Sequence, residues 1–364
     1  MFSFFSKDKN PPVQESAPAP APTPLERVRP QSPVTPANAQ QDIKVVYLDR
    51  HELTGANLKE LCDVAGGAAL IMGFISPDLS VPEVARTIKQ EIPRNTKLIL
   101  MTTCGELCRV PGRHSYYQES PENRGKVLLQ VYSNRMIEDI YIASIPLPND
   151  DLRRGEVTMT VAERVSALKS EFAKQHVPFR VSVNHTFAFV YVDGVSSMET
   201  FVLQALFESG QLPCPYIGGS AGGNMDFAHT YIYNGERTLE NHAVITLVRL
   251  KKDFRYGIMK TQAVESTDTV FTVVGGNTAL RYISSVVGKG GEPQSFIKAL
   301  KEHFGVNSAA ELDEAMQGYT FGVDVNGEYF IRSVAGIDEA QDRINLFCDV
   351  VSGEKLVLLR RVSL

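Results

Sequence analysis

Blocks of apolar and polar positions succeed one another from residue 68 onward. Ala68–Ile75 (AALIMGFI) is a short continuous apolar run that predicts a buried strand. Ser80 with Glu83 has capping-box spacing and predicts a helix through about Ile92, with Val84, Ile88 and Ile92 on one face. Pro93 and Asn95 mark its end, and Lys97–Met101 predicts the next strand, leading into Thr102–Glu106. A polar insertion at about 109–125 precedes strands at Lys126–Ser133 and Ile140–Ile145. Val157, Val161, Val165, Leu168 and Phe172, at helical spacing, predict an amphipathic helix over about 155–175.

The same order then recurs. Thr186–Val192 predicts a strand ending at Asp193-Gly194, and Ser196 with Glu199 a second capped helix to about Ser209. Pro215–Gly218 reads as a strand end that leads into the turn Gly219–Asn224, followed by strands His229–Tyr233 and His242–Leu250. Ser80 to Ser196 and Cys104 to Ser220 are both spaced by 116 residues. This points to an internal pseudo-duplication over about 68–250, with a ligand crevice where equivalent turns face each other.

A third region starts near Tyr256. Val270–Val274 reads as a strand, and helices are expected at about 278–287, 294–304 and 308–316, the last opened by a Ser308/Glu311 capping box. Strands are expected at Tyr319–Val325, Tyr329–Val334, Ile344–Asp349 and Lys355–Arg360, with Asn326-Gly327 as a hairpin turn. The last stops four residues from Leu364, which suits either a natural end or a module cut from a longer protein. The expected class is α+β, with mixed β-sheets, flanking helices and two domains, 43–252 and 253–364.

Residues 1–42 differ in kind. Nine of the chain's 20 prolines fall there among Ala, Gln and Ser, a composition that buries too little surface to order itself. This reads as a disordered tail or linker, and Phe2, Phe4 and Phe5 as a frayed start or a weak docking or membrane-surface motif. The net charge of −5 argues against a nucleic-acid partner. No apolar run reaches the ~18 residues of a membrane span, and five cysteines do not make a disulfide framework. A reduced, cytoplasmic protein is expected.

Candidate chemistry is sparse. Gly218-Gly219-Ser220-Ala221-Gly222-Gly223-Asn224 could expose backbone N–H groups to an anion or serve structure alone. It is followed by a strand and lacks a Gly-Lys-Ser/Thr, so a nucleotide-phosphate loop is disfavoured. Ser220 meets Gly-x-Ser-x-Gly in letters without the helix that a nucleophile elbow requires. Cys104-x3-Cys108 with His114 offers three potential zinc ligands at loose spacing and no second cysteine pair. Cys214-Pro215 is a dipeptide of the kind used in haem thiolate ligation, and His185, His229 and His242 flank strands as structural residues or axial ligands. Arg332, among apolar strand residues, needs an anionic partner, either a buried carboxylate or a ligand. No catalytic set stands out, so the expectation is a binding protein rather than an enzyme.

Met101-Thr102-Thr103-Cys104-Gly105-Glu106 resembles the C-S-T-A-G-E turn of FIST sensory domains. Gly218–Asn224 with Thr230–Gly235 resembles their G-G-S-A-G-D segment and trailing strand. Thr278–Tyr282, Phe321–Val323 with Tyr329–Ser333, and Val351–Glu354 are similar to family features of the C-terminal part, so the resemblance spans about 45–364. Cys104 stands in place of the usual alanine, Asn224 where an acidic residue is common, and Thr278 in place of proline. The resemblance implies a bacterial sensory module of paired N-like (43–252) and C-like (253–364) units. It also implies a small ligand, either an amino acid or organic acid or, in a subset, haem that senses nitric oxide. The output would be a histidine kinase, a chemotaxis receptor or a cyclic-di-GMP enzyme. The expected ligand-binding residues are Thr103, Cys104, Glu106, Gly218, Gly219, Ser220, Asn224 and Arg332, and the expected haem or metal ligands Cys214, His229 and His242.

Overall fold

A computed structural model describes residues 41–109, 117–118, 124–224, 226 and 228–362. The first half of the N-terminal region contains β1 (Ile43–Asp49), α1 (Gly55–Leu61), β2 (Ala68–Ile75), α2 (Val81–Glu91), β3 (Lys97–Thr102), the short β4 (Glu106–Leu107) and β5 (Tyr117–Gln118), and β6 (Lys126–Ser133). The second half contains β7 (Ile137–Pro146), α3 (Asp150–Arg153), α4 (Val161–Ala173), β8 (Thr186–Asp193), α5 (Glu199–Ser209), β9 (Tyr216–Ala221), β10 (Ile232–Tyr233), β11 (Thr238–Leu239) and β12 (His242–Leu250).

The two halves have the same topology. One sheet runs β1-β6-β2-β3 and the other β7-β12-β8-β9. In each, the first two neighbouring pairs are antiparallel and the last is parallel. The duplication expected from sequence is therefore real, but its offset is two residues longer than the serine spacing: β2 and α2 open at Ala68 and Val81, β8 and α5 at Thr186 and Glu199. The halves are also stitched together, because β10 of the second half pairs antiparallel with β3 of the first.

The sheets pack face to face with helices outside, giving four layers. Alternation along β8 shows why. Ala188, Val190 and Val192 face α4 and α5, whereas Phe187, Phe189 and Tyr191 enter the space between the sheets. There Tyr191 meets Phe74 edge-on at 6.2 Å and Phe189 lies 6.0 Å from Tyr132. β2 is covered on both sides, Ile71 and Ile75 under the helices and Leu70 and Met72 between the sheets. That double burial is the reason it reads as one unbroken apolar run.

The chain continues with β13 (Val264–Asn277), β14 (Tyr282–Val287), β15 (Pro293–Ser295), α6 (Phe296–Phe304), α7 (Ala309–Met316), β16 (Tyr319–Val325), β17 (Glu328–Arg332), β18 (Val334–Asp338), β19 (Arg343–Leu346) and β20 (Lys355–Arg361). These strands form a third sheet, β17-β16-β20-β13-β14-β19-β18 with β15 beside β14, around a core of Phe271, Phe296, Phe321 and Leu358.

Several local expectations are corrected. Residues 278–287 are not helical: Arg281 takes a left-handed φ of 56°, and Ile283, Val286 and Val287 continue as strand, which suits their β-branched side chains. The helix expected over 155–175 begins only at Val161, behind a Thr160/Glu163 capping box, and Val157 is exposed. Ser80 makes no side-chain cap bond. Ser196 is spent on the turn before α5, donating to the Asp193 carbonyl and accepting from Met198 N–H. The Ser308/Glu311 box forms as expected. Gly219–Ala221 continues β9 rather than forming a turn, and His229–Tyr233 is strand only at Ile232–Tyr233. β1 and α1 had no sequence expectation. The tail reading up to residue 40, with Phe2, Phe4 and Phe5, lies outside the described residues, as does His114. Among the described residues no helix is long and apolar enough to cross a membrane.

Candidate ligand-binding site

Parallel pairs place β3 and β9 so that both chains leave their sheets at the same end. The exits touch. Gly222 N–H donates to the Thr102 carbonyl at 2.8 Å, and a Cβ on Gly222 would lie 2.6 Å from Cys104 N. Gly223 sits as closely against His229, where a Cβ would lie 2.5 Å from the carbonyl oxygen. Only glycine permits these backbone approaches. The turn after β8 is fixed through buried Asp193, whose Oδ1 accepts from Thr230 Oγ1 at 2.7 Å and Val195 N–H at 3.0 Å.

A cavity of about 590 Å³ opens where these exits meet the third sheet; Cys104, Glu199, Ser220, His229, Arg281 and Phe347 are among its walls. Glu199 lies in the first turn of α5, where the helix dipole favours a carboxylate. Its Oε1 accepts from Ser220 Oγ at 2.7 Å, and its Oε2 accepts from Arg281. Arg281 also donates to the Phe347 carbonyl at 2.9 Å. A cation and an anion from different parts of the fold therefore meet at the cavity wall, positioned by the left-handed Arg281 backbone and by Ser220.

Of the residues singled out in the sequence, Cys104, Ser220 and His229 line this cavity. Thr103 and Glu106 lie beside it. Glu106 is buried and accepts from Thr103 Oγ1 at 2.7 Å and Tyr47 Oη at 3.3 Å. Burial pushes its carboxyl above the usual carboxylate range, opposed by those two hydrogen bonds. Gly218 packs against the Val190 backbone, while Gly219 and Asn224 are exposed on β9 and just after it. Arg332 is placed elsewhere, paired with Glu354 at 3.2 Å.

The three metal candidates do not converge. Cys214 is in the core under α4 and α5, its thiol pushed up to about 11 by burial. His229 Nδ1 lies 2.7 Å from a Glu240 carboxylate oxygen, and His242 Nδ1 lies 2.6 Å from the Glu240 carbonyl. Among the described residues no three His, Cys, Asp or Glu side chains form a metal-holding group. Sequence reasoning missed Arg281 and Glu199. Arg281 falls in a segment whose pattern predicts a helix, and Glu199 has the spacing of a helix cap, so neither reads as a site residue.

Fold and site together define a duplicated two-sheet sandwich with a polar cavity at its strand exits. The FIST N domain model matches residues 69–279, more than half of the chain, and the chain belongs to the FIST family, whose domains are sensory domains of signal transduction. No curated protein matches it.

Proposed function

We propose that this chain is a small-ligand sensory module whose ligand, an amino acid or a related organic acid, occupies the cavity between the β3 and β9 exits and the third sheet. The observation that carries this reading is the Glu199–Arg281 pair on the cavity wall. A guanidinium suits a carboxylate by charge-assisted bonding, and the adjacent Glu199 suits an ammonium group. Because Glu199 and Arg281 belong to different sheets' surroundings, a ligand held by both changes how the third sheet is tied to α5. The resulting signal would pass to a kinase, chemotaxis or cyclic-di-GMP partner, with residues 253–364 acting as the C-like unit.

Calorimetry of the full chain with amino acids and with the matching deaminated acids tests the reading. Arg281→Ala removes binding of both classes, and Glu199→Gln weakens the amino acids at least tenfold more than the deaminated acids. Retained binding in Arg281→Ala would sink the proposal.

One observation favours haem as a second reading: His229, an axial-ligand type, lines the cavity with Nδ1 already held by Glu240, the carboxylate–imidazole arrangement that tunes a metal-ligating histidine. A haemin titration followed by absorption separates the two. A Soret band that shifts on adding nitric oxide and is lost in His229→Ala selects haem.

A further inference from the structure

A second cavity, of about 840 Å³, lies at the other end of the second sheet, against the segment before β8 and the end of β12. The eight residues of β8, at about 3.3 Å each, set it roughly 25 Å from the first cavity. Its walls carry four strong cations, Arg180, Arg249, Lys252 and Arg255, against one carboxylate, Glu138. In a chain of net charge −5 this is a local reversal of sign.

Only one of the four is neutralised. Arg249 Nε donates to Asp139 at 2.8 Å, and its Nη2 lies 3.5 Å from Glu138. Arg180, Lys252 and Arg255 have no carboxylate within ion-pair distance among the described residues. Arg255 is nevertheless held in place: Nη1 donates to the Phe254 carbonyl at 2.8 Å and to the Lys252 carbonyl, and lies 3.4 Å from His185 Nδ1. Its Nε and Nη2 remain available. Three like charges around one concavity repel each other and focus an attractive field on an anion.

We infer that this cavity binds a polyphosphate-bearing small molecule of the nucleoside diphosphate kind. The several separated cations call for a ligand with more than one charge, and two of the three available ones are guanidinium forks, which match phosphate oxygens bidentately. Val181, Val183, Pro213 and Leu250 supply an apolar wall for the organic part. The volume is in the range of small-molecule sites. This site is independent of the amino-acid reading of the first cavity.

Calorimetry of the full chain with ADP, with inorganic pyrophosphate and with citrate, at constant ionic strength, tests the inference. Both phosphates bind saturably at one per chain, ADP the more tightly, and citrate at least tenfold more weakly. Arg180 and Lys252 are exposed, so Arg180→Ala/Lys252→Ala folds, checked by circular dichroism, and weakens both phosphates at least tenfold. The inference is overturned if neither phosphate saturates, if citrate binds as tightly, or if the double variant binds as the parent does.

Discussion

Arg164 and Arg281 each hold one carboxylate, yet their surroundings set them to different work. Arg164 and Asp151 are 1% and 3% exposed, and every oxygen of Asp151 is engaged: Arg164 at 2.8 and 3.1 Å, and the N–H groups of Leu152, Thr158 and Met159. This pair ties α3 and the segment leading into α4 together, away from either cavity. Arg281 and Glu199 are 10% and 24% exposed and face open space. A closed, saturated pair can only hold the fold, whereas a pair on a cavity wall can also exchange partners with a ligand. Burial and saturation, rather than the ion pair itself, separate structure from recognition.

The largest effect should come from breaking the closed pair. Arg164→Met leaves Asp151 buried and unpaired, and such losses cost about 3–5 kcal/mol. Urea unfolding measures this. Adding Asp151→Leu removes the unpaired charge but strips the acceptor from the Leu152, Thr158 and Met159 N–H groups, so it should recover only part of the loss while leaving ligand affinity unchanged. The pH dependence has a defined sign. The hydrogen bonds from Arg164 hold the Asp151 carboxyl well below the usual range, against desolvation. Its contribution is therefore complete above the unfolded value of about 3.9 and is lost as pH falls from there toward the folded value. In Arg164→Met the acid limb of the stability curve should flatten.

Next comes the contact that brings the two strand exits together. Gly222→Ala drives a Cβ against the Cys104 backbone and should cost about 1–3 kcal/mol, together with ligand affinity. Gly219→Ala, three residues earlier with nothing within 4 Å, is the control and should stay within about 0.5 kcal/mol. Equal effects would mean that the exits do not set the cavity.

Glu199→Gln sharpens the comparison from the open side. It keeps the shape and weakens one charge-assisted bond, so it should cost about 1 kcal/mol, well below Arg164→Met. Calorimetry should show its larger consequence in ligand choice. If it destabilises as much as Arg164→Met, the open pair is structural too.

These contrasts also explain what the sequence made legible. β6, β12 and β16 matched their expected bounds because apolar runs and alternation report burial directly. The duplication is visible as recurring order, but its register is not: the matching spacing of Ser80 and Ser196 suggests equivalent caps, whereas Ser80 makes no side-chain cap bond and Ser196 bonds within the turn before α5. β1 and α1 follow the proline-rich tail, and β1, an edge strand with Ile43 and Val45 exposed, carries a weak pattern. Three of the cavity residues are legible by separate signals: Ser220 in the run of small residues, Cys104 in the turn after a strand, and His229 as a histidine beside a strand. Arg281 is not, because its role depends on a left-handed turn and on a pairing 82 residues distant in the chain. Arg332 drew attention for the right reason, an arginine among apolar neighbours needing an anion, and the anion beside it is Glu354.

The smallest effect sets Glu106 against Asp151, two buried carboxylates shifted in opposite directions. Desolvation dominates at Glu106 and raises it, although Thr103 and Tyr47 donate to its oxygens. No guanidinium is among the causes of its shift, in contrast with Asp151. A raised carboxyl favours folding while protonated, so its contribution is complete below the unfolded value of about 4.3 and fades as pH rises through the folded one. Glu106→Gln keeps the shape and removes the titration. The variant should therefore gain stability relative to the parent as pH rises above the unfolded value of about 4.3, the reverse of the trend for the Asp151 pair. Urea titrations of the parent and Glu106→Gln at several pH values read this out. A difference between the two proteins that does not change with pH would mean that hydrogen bonds from Thr103 and Tyr47 fully offset the burial of Glu106.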